Sequence, residues 1–266
     1  MTDQHCLNCG KELTDKYCSG CGQKADTRRI SFKNFISQDI LHGTFHIEKG
    51  MLFTARQSLT RPGKAALDYI AGKRKQYYNV FLLILVTIGL ILFARHFYDE
   101  LANGQGTEVA NATPYLNEAS RTMDEIFSQK AKIIIFLFVP FAALNSFILF
   151  RRKKLNLSEH SIIAGMILLG MLLLSAFGNL FFYLDLAVPF SNAFANGASI
   201  FVTALIILHI GYGYVNAFGA DYSKPEIAYR IVLFFMLMCL EIAILFLILF
   251  GFVSNWKFGT ITVSPF

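Results

Sequence analysis

Five long apolar stretches follow one another along the last two thirds of the chain, and each is bounded by polar residues. They cover residues 79–97, 132–150, 161–186, 198–218 and 231–253. A helix rises about 1.5 Å per residue, so roughly 20 apolar residues cross the hydrocarbon core of a bilayer. The pattern predicts an all-α integral membrane protein with about five transmembrane helices in a membrane domain over 79–253.

Shorter stretches before residue 79 repeat their apolar residues at helical spacing. The three stripes are Phe32, Phe35, Ile36 and Ile40, then Met51, Leu52, Ala55 and Leu59, and then Leu67 and Ile70. The run Arg61-Pro62-Gly63 ends the second predicted helix, and Gly72 ends the third. Because these helices are too short to span a bilayer, residues 28–78 are predicted to form a cytoplasmic amphipathic linker, in the interface or beneath the membrane helices.

Composition agrees with the membrane class, because 55% of the residues are hydrophobic. Lys and Arg are concentrated ahead of the first span and in residues 151–154, whereas the loop between the first two spans is acidic. Cytoplasmic flanks retain Lys and Arg, so the N-terminus is expected in the cytoplasm. With five spans, the tail over 254–266 is then expected to face outward.

A basic collar precedes the first span. Lys73, Arg74 and Lys75 stand just before Tyr77 and Tyr78. Aromatic residues favour the membrane interface, and cationic residues there meet anionic headgroups, so the collar is predicted to anchor the span and contact membrane lipids. The cytoplasmic flanks account for the net charge of +6, and we therefore expect no nucleic-acid partner.

Four of the five cysteines lie in a duplicated CxxCG motif near the N-terminus. The ligand candidates are Cys6, Cys9, Cys18 and Cys21, each pair followed by Gly10 or Gly22. A CxxC turn directs two thiolates at one ion, and the glycine can adopt the positive φ that a tight turn needs. Residues 1–27 are therefore predicted to be a zinc ribbon with a structural Zn²⁺. Iron, a redox dithiol and two disulfides are the other interpretations of the four cysteines.

The order of motifs before the first span resembles a bacterial family of uncharacterised multi-pass membrane proteins, in which a double-CxxC ribbon precedes a membrane domain of unknown function. The resemblance implies the bacterial inner membrane and implies no catalytic activity. The matching residues are Cys6, Cys9, Cys18, Cys21, Gly22, Gln23, His42, His46, Gly50, Thr54, Leu59, Pro62, Tyr69, Gly72, Lys73 and Arg74.

His42 and His46 form a second candidate site in the linker, with Asp39 and Glu48 nearby in the sequence. Histidines four residues apart share one face of a helix and could bind a metal. They could equally contact lipid headgroups or the ribbon, or be ordinary polar residues of a surface helix.

Polar residues inside the predicted spans are costly and therefore informative. Glu241 lies near the middle of the fifth span and His209 near the middle of the fourth. They could form a proton relay or line a substrate pathway. A Glu241 bonded to His209 or to Asn145 would instead hold helices together. In the fourth span, Gly213 and Ala217 offer a small surface to another helix.

Sequence motifs of nucleotide-binding proteins, serine hydrolases and zinc proteases are missing from the chain. Two functions are therefore expected. The first is a non-enzymatic scaffold or accessory subunit that engages a protein partner, a second copy of the chain or the membrane surface. The alternative is a small proton-coupled transporter or channel that uses Glu241 and His209.

Overall fold

The computed structural model describes residues 5–25, 27, 30, 49–104, 135–186 and 190–253. Within these ranges the fold is all-α, as predicted, and its N-terminal part contains only isolated bridges in place of strands. The helices are α1 Lys49–Thr60, α2 Pro62–Ile70, α3 Val80–Gly104, α4 Ile135–Leu149, α5 Leu157–Phe182, α6 Asn192–Phe218 and α7 Lys224–Val253. A 3₁₀ turn, Tyr183–Leu186, continues α5.

Four of the described helices are long and apolar enough to cross a membrane. The candidate spans are Val80–Tyr98, Leu157–Leu180, Asn192–Phe218 and Lys224–Phe252. They confirm the first, third, fourth and fifth predicted spans as helices. The second prediction, 132–150, begins outside the described residues, and its described part is the shorter apolar helix α4.

Three of the spans begin several residues before their predicted starts, because polar residues continue the helix and cap it. At α5, Asn156 Oδ1 accepts from Glu159 N at 2.9 Å, and Asn156 N donates to Glu159 Oε2 at 2.8 Å. This reciprocal pair is a capping box. The hydroxyl of Ser191 accepts from Phe194 N at the start of α6, and Ser223 N donates to a Glu226 carboxylate oxygen at the start of α7.

Helix α5 is central in the described part of the bundle. It packs against α1, α2, α3 and α6, and 67% of its span is buried, against 11% for the spans of α6 and α7. The outward faces of α6 and α7 carry many exposed large apolar side chains, as lipid-facing helices do.

Helices α1 and α2 form a hairpin, hereafter the α1–α2 hairpin, that packs against α5 and α6. Its buried face consists of small and polar residues, including Thr54, Ser58, Ala65 and Ala66. Leu52 belongs to the predicted apolar stripe of α1, yet it is 82% exposed. The stripe describes the buried face only in part, because Met51 of the same stripe packs against the core while the closest contacts with the bundle are made by small residues.

The start of α2 is in close contact with the backbone of α6. A Cβ at Gly63 would lie 2.8 Å from Ala217 Cα, and closer still to the carbonyl oxygen of Gly213. Asn216 Oδ1 accepts from Lys64 N at 2.8 Å beside this contact. The small surface predicted at Gly213 and Ala217 is thus confirmed as a packing surface, and it receives the hairpin.

One end of the bundle, hereafter the ribbon end, gathers the N-terminal segment and the loops over 71–79, 150–156 and 219–223. Arg152 forms two hydrogen bonds with the Glu226 carboxylate, at 2.7 and 3.0 Å. Its guanidinium also lies 4.5 Å from the centre of the Tyr222 ring. These contacts fix the loop between α4 and α5 against the loop between α6 and α7.

Candidate metal centre

The two CxxCG motifs have the same backbone structure. In the first, Cys6 N donates to Lys11 O and Gly10 N donates to Cys6 O, each at 2.8 Å. In the second, the equivalent bonds from Cys18 N to Gln23 O and from Gly22 N to Cys18 O are also 2.8 Å. Gly10 and Gly22 have φ values of 76° and 72°, as the motif predicted.

The two turns bring the four thiols together. The Sγ atoms of Cys6 and Cys21 are 3.6 Å apart, those of Cys9 and Cys18 are 3.5 Å apart, and all four lie within 4.8 Å of one another. Metal–sulfur bonds of about 2.3 Å in a tetrahedron would separate sulfurs by about 3.8 Å. The four cysteines could therefore hold one metal ion.

Backbone amides around Cys18 favour the deprotonated form of this thiol, whereas the pKa of Cys9 is raised to about 11, because the lowering effect of the Lys11 backbone is outweighed by hydrogen bonding with Cys18 and the other thiols. Backbone N–H groups of Cys21 and then Gly20 lower the pKa of Cys18 to about 6. The Gly20 amide donates to Cys18 Sγ at 3.4 Å. Amide donors stabilise a thiolate by hydrogen bonding to its charge, so Cys18 is prepared for coordination before an ion arrives.

Gln23 holds the ribbon against the loop between α2 and α3 by three hydrogen bonds. Its Nε2 donates to Gly72 O at 2.8 Å, and its Oε1 accepts from Arg74 N at 3.1 Å and Lys75 N at 3.2 Å. The side chain is buried. Because Gln23 directly follows the second CxxCG motif, one residue connects the metal centre to the loop that leads into α3.

Leu7 makes the apolar part of the same contact. A Cβ at Gly72 would lie 2.6 Å from Leu7 Cδ1, and the φ of Gly72 is 101°. Glycine is therefore needed at position 72 both for its left-handed backbone and for the close approach of Leu7. The ribbon side of the contact thus combines one buried polar side chain with one apolar side chain.

The predicted basic collar lies beneath the ribbon. Lys73 Nζ pairs with Asp68 Oδ1 at 2.9 Å, and the Arg74 guanidinium lies 5.5 Å from the centre of the Tyr69 ring. Lys75 is exposed. The collar thus contributes backbone amides to Gln23 while the Lys73 and Lys75 side chains remain at the surface.

The structure does not bring the two intramembrane candidates together. Glu241 Oε2 accepts from Asn145 Nδ2 at 2.8 Å, which joins α7 to α4. His209 instead lies with the carbonyl of Ser58 against Gly170, at the contact of α6 with α5 and α1.

The other linker candidates, His42 and His46, lie outside the described residues, as do Asp39 and Glu48. A buried pair that sequence reasoning missed joins Ser146 Oγ to His160 Nδ1 at 2.8 Å. The hydrogen bond connects α4 with α5. Because both side chains are almost fully buried, the serine hydroxyl is not an accessible nucleophile. Apolar patterning carries no signal for such a contact.

The contact made by Gln23 was also missed, although the residue was part of the motif that follows the cysteines. Its three hydrogen bonds join residues that lie 49 to 52 positions apart in the sequence, so no local spacing of residues predicts them. A glutamine directly after CxxCG, together with a glycine before the basic collar, is the signal that could have pointed to them.

Comparison with known proteins identifies one matching family. No curated protein and no solved structure matches the chain. The matched segment contains the whole α1–α2 hairpin, the loop that receives Gln23 and the first part of α3, while the cysteine cluster lies before it. Residues 48–91 match the family model described as Protein of unknown function (DUF3667).

Proposed function

We propose that the protein is a non-enzymatic membrane scaffold or accessory subunit, whose cytoplasmic zinc ribbon engages a protein partner or the membrane surface. The observation that carries this proposal is the contact of Gln23 with Gly72, Arg74 and Lys75. A ribbon held against the membrane domain presents its exposed surface in one orientation at the ribbon end. A fixed orientation suits recognition of a partner.

Zinc is the proposed metal, because four thiolates in a tetrahedral arrangement form its usual structural site. When bound, the ion would link the two CxxCG turns and leave no open position for water. Cys6 and Cys18 are buried, while Cys9 is exposed. The proposed role of the centre is therefore to hold the shape of the ribbon.

The hydrogen bond of Glu241 is compatible with the scaffold, because its partner within the described residues is Asn145 and not His209. A proton relay through the two residues needs them close to each other or to intervening donors and acceptors. Glu241 bonds Asn145, and that contact fits a role in holding α4 against α7. The exposed apolar faces of α6 and α7 leave room for a second copy of the chain as well as lipid.

The proposed location is the bacterial inner membrane, with the ribbon end in the cytoplasm and the 254–266 tail outside. The basic residues 73–75 and 151–154 lie at the ribbon end, which supports this orientation through the positive-inside rule. A reducing cytoplasm would also keep the four cysteines free for a metal.

Native mass spectrometry of the protein, extracted gently from its own membrane, tests the proposal. We expect a chain carrying one zinc and a second protein or a second copy. A Gln23→Ala variant should retain zinc and lose the partner, while Lys24→Gln, which alters the exposed neighbour of Gln23, should keep both. A zinc-loaded chain that never carries a second protein, a second copy or bound lipid would contradict the proposal.

Transport assays in proteoliposomes test the alternative directly. The scaffold tolerates Glu241→Gln, because glutamine retains an acceptor for Asn145. Proton-coupled substrate uptake that is lost in this variant, at unchanged stability, would favour the transporter.

A further inference from the structure

A second polar cluster lies between the arms of the α1–α2 hairpin and the start of α3. It consists of Arg61, Asp68, Lys73 and Tyr77 and is hereafter the hairpin cluster. Lys73 Nζ lies 2.9 Å from Asp68 Oδ1, and Arg61 Nη2 lies 3.7 Å from Asp68 Oδ2. The Arg61 and Lys73 side chains are 42% and 45% exposed, so both can reach a ligand.

The two cations have unused hydrogen-bond donors. Arg61 Nε donates to Gln57 Oε1, but its Nη groups make no hydrogen bond within the described part of the chain. Guanidinium has five N–H donors and ammonium three. Lys73 uses one of its three on Asp68. The cluster can therefore donate several further hydrogen bonds to an incoming oxygen-rich group.

The Tyr77 hydroxyl is the third donor. The Tyr77 side chain is only 7% exposed, and its buried hydroxyl faces Asp68 and Arg61 without a hydrogen bond of standard geometry to either or to any other described residue. Contacts with Phe53 and Tyr69, at ring-centre distances of 5.2 and 6.2 Å, fix the ring. Burial and then the charge of Asp68 raise the pKa of Tyr77 to about 12, so the hydroxyl stays protonated and can donate.

The cluster lies where polar and apolar surfaces meet. The span of α3 begins at Val80, three residues after Tyr77. On α1, Leu52 precedes Phe53, whose ring contacts Tyr77, and Leu52 is 82% exposed. A molecule with a polar head and an apolar tail could place its head on the cluster and its tail along this surface.

We propose that the hairpin cluster binds the headgroup of a zwitterionic phospholipid. Arg61, Lys73 and Tyr77 receive the phosphate, and Asp68 receives the ammonium group. Two cations and one carboxylate complement a head that carries both kinds of charge. The inference does not depend on the proposed recruitment of a partner by the ribbon.

Other phosphate ligands fit the cluster less well. An anionic headgroup would use the two cations but would meet the Asp68 carboxylate without a compensating positive charge. Inorganic phosphate would have the same difficulty and would leave the apolar surface at Leu52 uncovered. The carboxylate is therefore the residue that selects among these ligands.

Lipid titrations of the purified full-length protein in detergent, followed by native mass spectrometry, test the inference. The probes are phosphatidylethanolamine and phosphatidylglycerol with the same acyl chains, and inorganic phosphate as a competitor. The variants are Tyr77→Phe, Arg61→Gln and Asp68→Asn. Lys64→Gln is the control, because this exposed lysine of α2 lies outside both the cluster and the basic collar.

The wild type should bind phosphatidylethanolamine several-fold more tightly than phosphatidylglycerol. Tyr77→Phe should weaken binding of either lipid about five- to tenfold, because one neutral hydrogen bond is lost. Arg61→Gln should weaken it by more, because a charged hydrogen bond is lost. Asp68→Asn should abolish the preference between the lipids. Lys64→Gln should behave as the wild type.

Three results would overturn the inference. One is unchanged phosphatidylethanolamine binding in Tyr77→Phe, a variant that keeps the ring packing and should fold normally. Another is tighter binding of phosphatidylglycerol that Asp68→Asn does not alter. The third is displacement of the lipid by inorganic phosphate at equal concentration, which would assign the site to free phosphate.

Discussion

Gly63 and Gly213 lie in direct backbone contact, one at the start of α2 and the other on α6. A Cβ on Gly63 would overlap the Gly213 carbonyl, and a Cβ on Gly213 would lie 2.7 Å from the Ile167 side chain. Because neither glycine has a side chain, α2, α5 and α6 can pack in close contact at this point. The α1–α2 hairpin is consequently an integral part of the bundle and not a loosely attached linker.

Gly63→Ala should destabilise the protein, because the added methyl group overlaps backbone atoms that cannot rotate away. We expect a loss of about 1–3 kcal/mol in the free energy of unfolding, measured as a lower melting temperature in detergent. Gly89→Ala is the matched control. It adds the same methyl group to a helix where nothing lies within 4 Å. Equal melting temperatures for the two variants would contradict the packing described here.

Cys18→Ser should abolish binding of the metal ion, because it removes one of four ligands and the thiol best prepared for coordination. Elemental analysis should find about one metal ion per wild-type chain and almost none in the variant. Cys239→Ser is the control, since this residue lies on the exposed side of α7. A chelator should likewise make residues 5–25 sensitive to protease, and metal that survives Cys18→Ser would exclude the four-cysteine site.

Gln23→Ala should release the ribbon from the membrane domain without removing its metal. The Lys75 amide loses its acceptor, so its hydrogen exchange should accelerate several-fold, whereas the Arg74 amide still donates to Gly72 O at 2.9 Å and should change less. Lys24→Gln should leave exchange at both amides unchanged. If exchange is the same in all three proteins, Gln23 does not hold the loop in solution.

Asn145→Ala should destabilise the contact of α4 with α7, because it leaves a Glu241 oxygen without its donor. The expected cost is about 1–3 kcal/mol in the free energy of unfolding. Glu241→Gln should cost much less, since the amide oxygen still accepts from Asn145. A double-mutant cycle of Asn145→Ala and Glu241→Ala measures the coupling, and a value near zero would show that the hydrogen bond contributes nothing.

The helices of the membrane domain were predictable because length and apolarity alone determine which segments can span a bilayer. Their starts were less predictable. Asn156 and Glu159 extend α5 upstream through side-chain capping, which hydropathy does not register. The cysteine site was predictable for a different reason, since the motif encodes both the ligands and the positive φ of Gly10 and Gly22.

The contacts between distant segments were not predictable from local pattern. The polar residues Thr54 and Ser58 are buried on α1 while Leu52 is exposed, because the shapes of α5 and α6 decide which side of the hairpin is covered. For Glu241, the sequence offered both His209 and Asn145 as partners. In the structure Glu241 bonds Asn145, because His209 faces Gly170 and the Ser58 carbonyl on the side of α6 that packs against α5 and α1.

Docking of the α1–α2 hairpin also has a consequence for biogenesis. The bond from Lys64 N to Asn216 Oδ1 joins residues 152 positions apart. A nascent chain has made the hairpin long before α5 and α6 exist, so its polar face and the backbone at Gly63 stay uncovered until synthesis has passed Phe218. Assembly of this part of the protein is therefore a late event, and a chain truncated after α5 would leave the hairpin without its contact to α6.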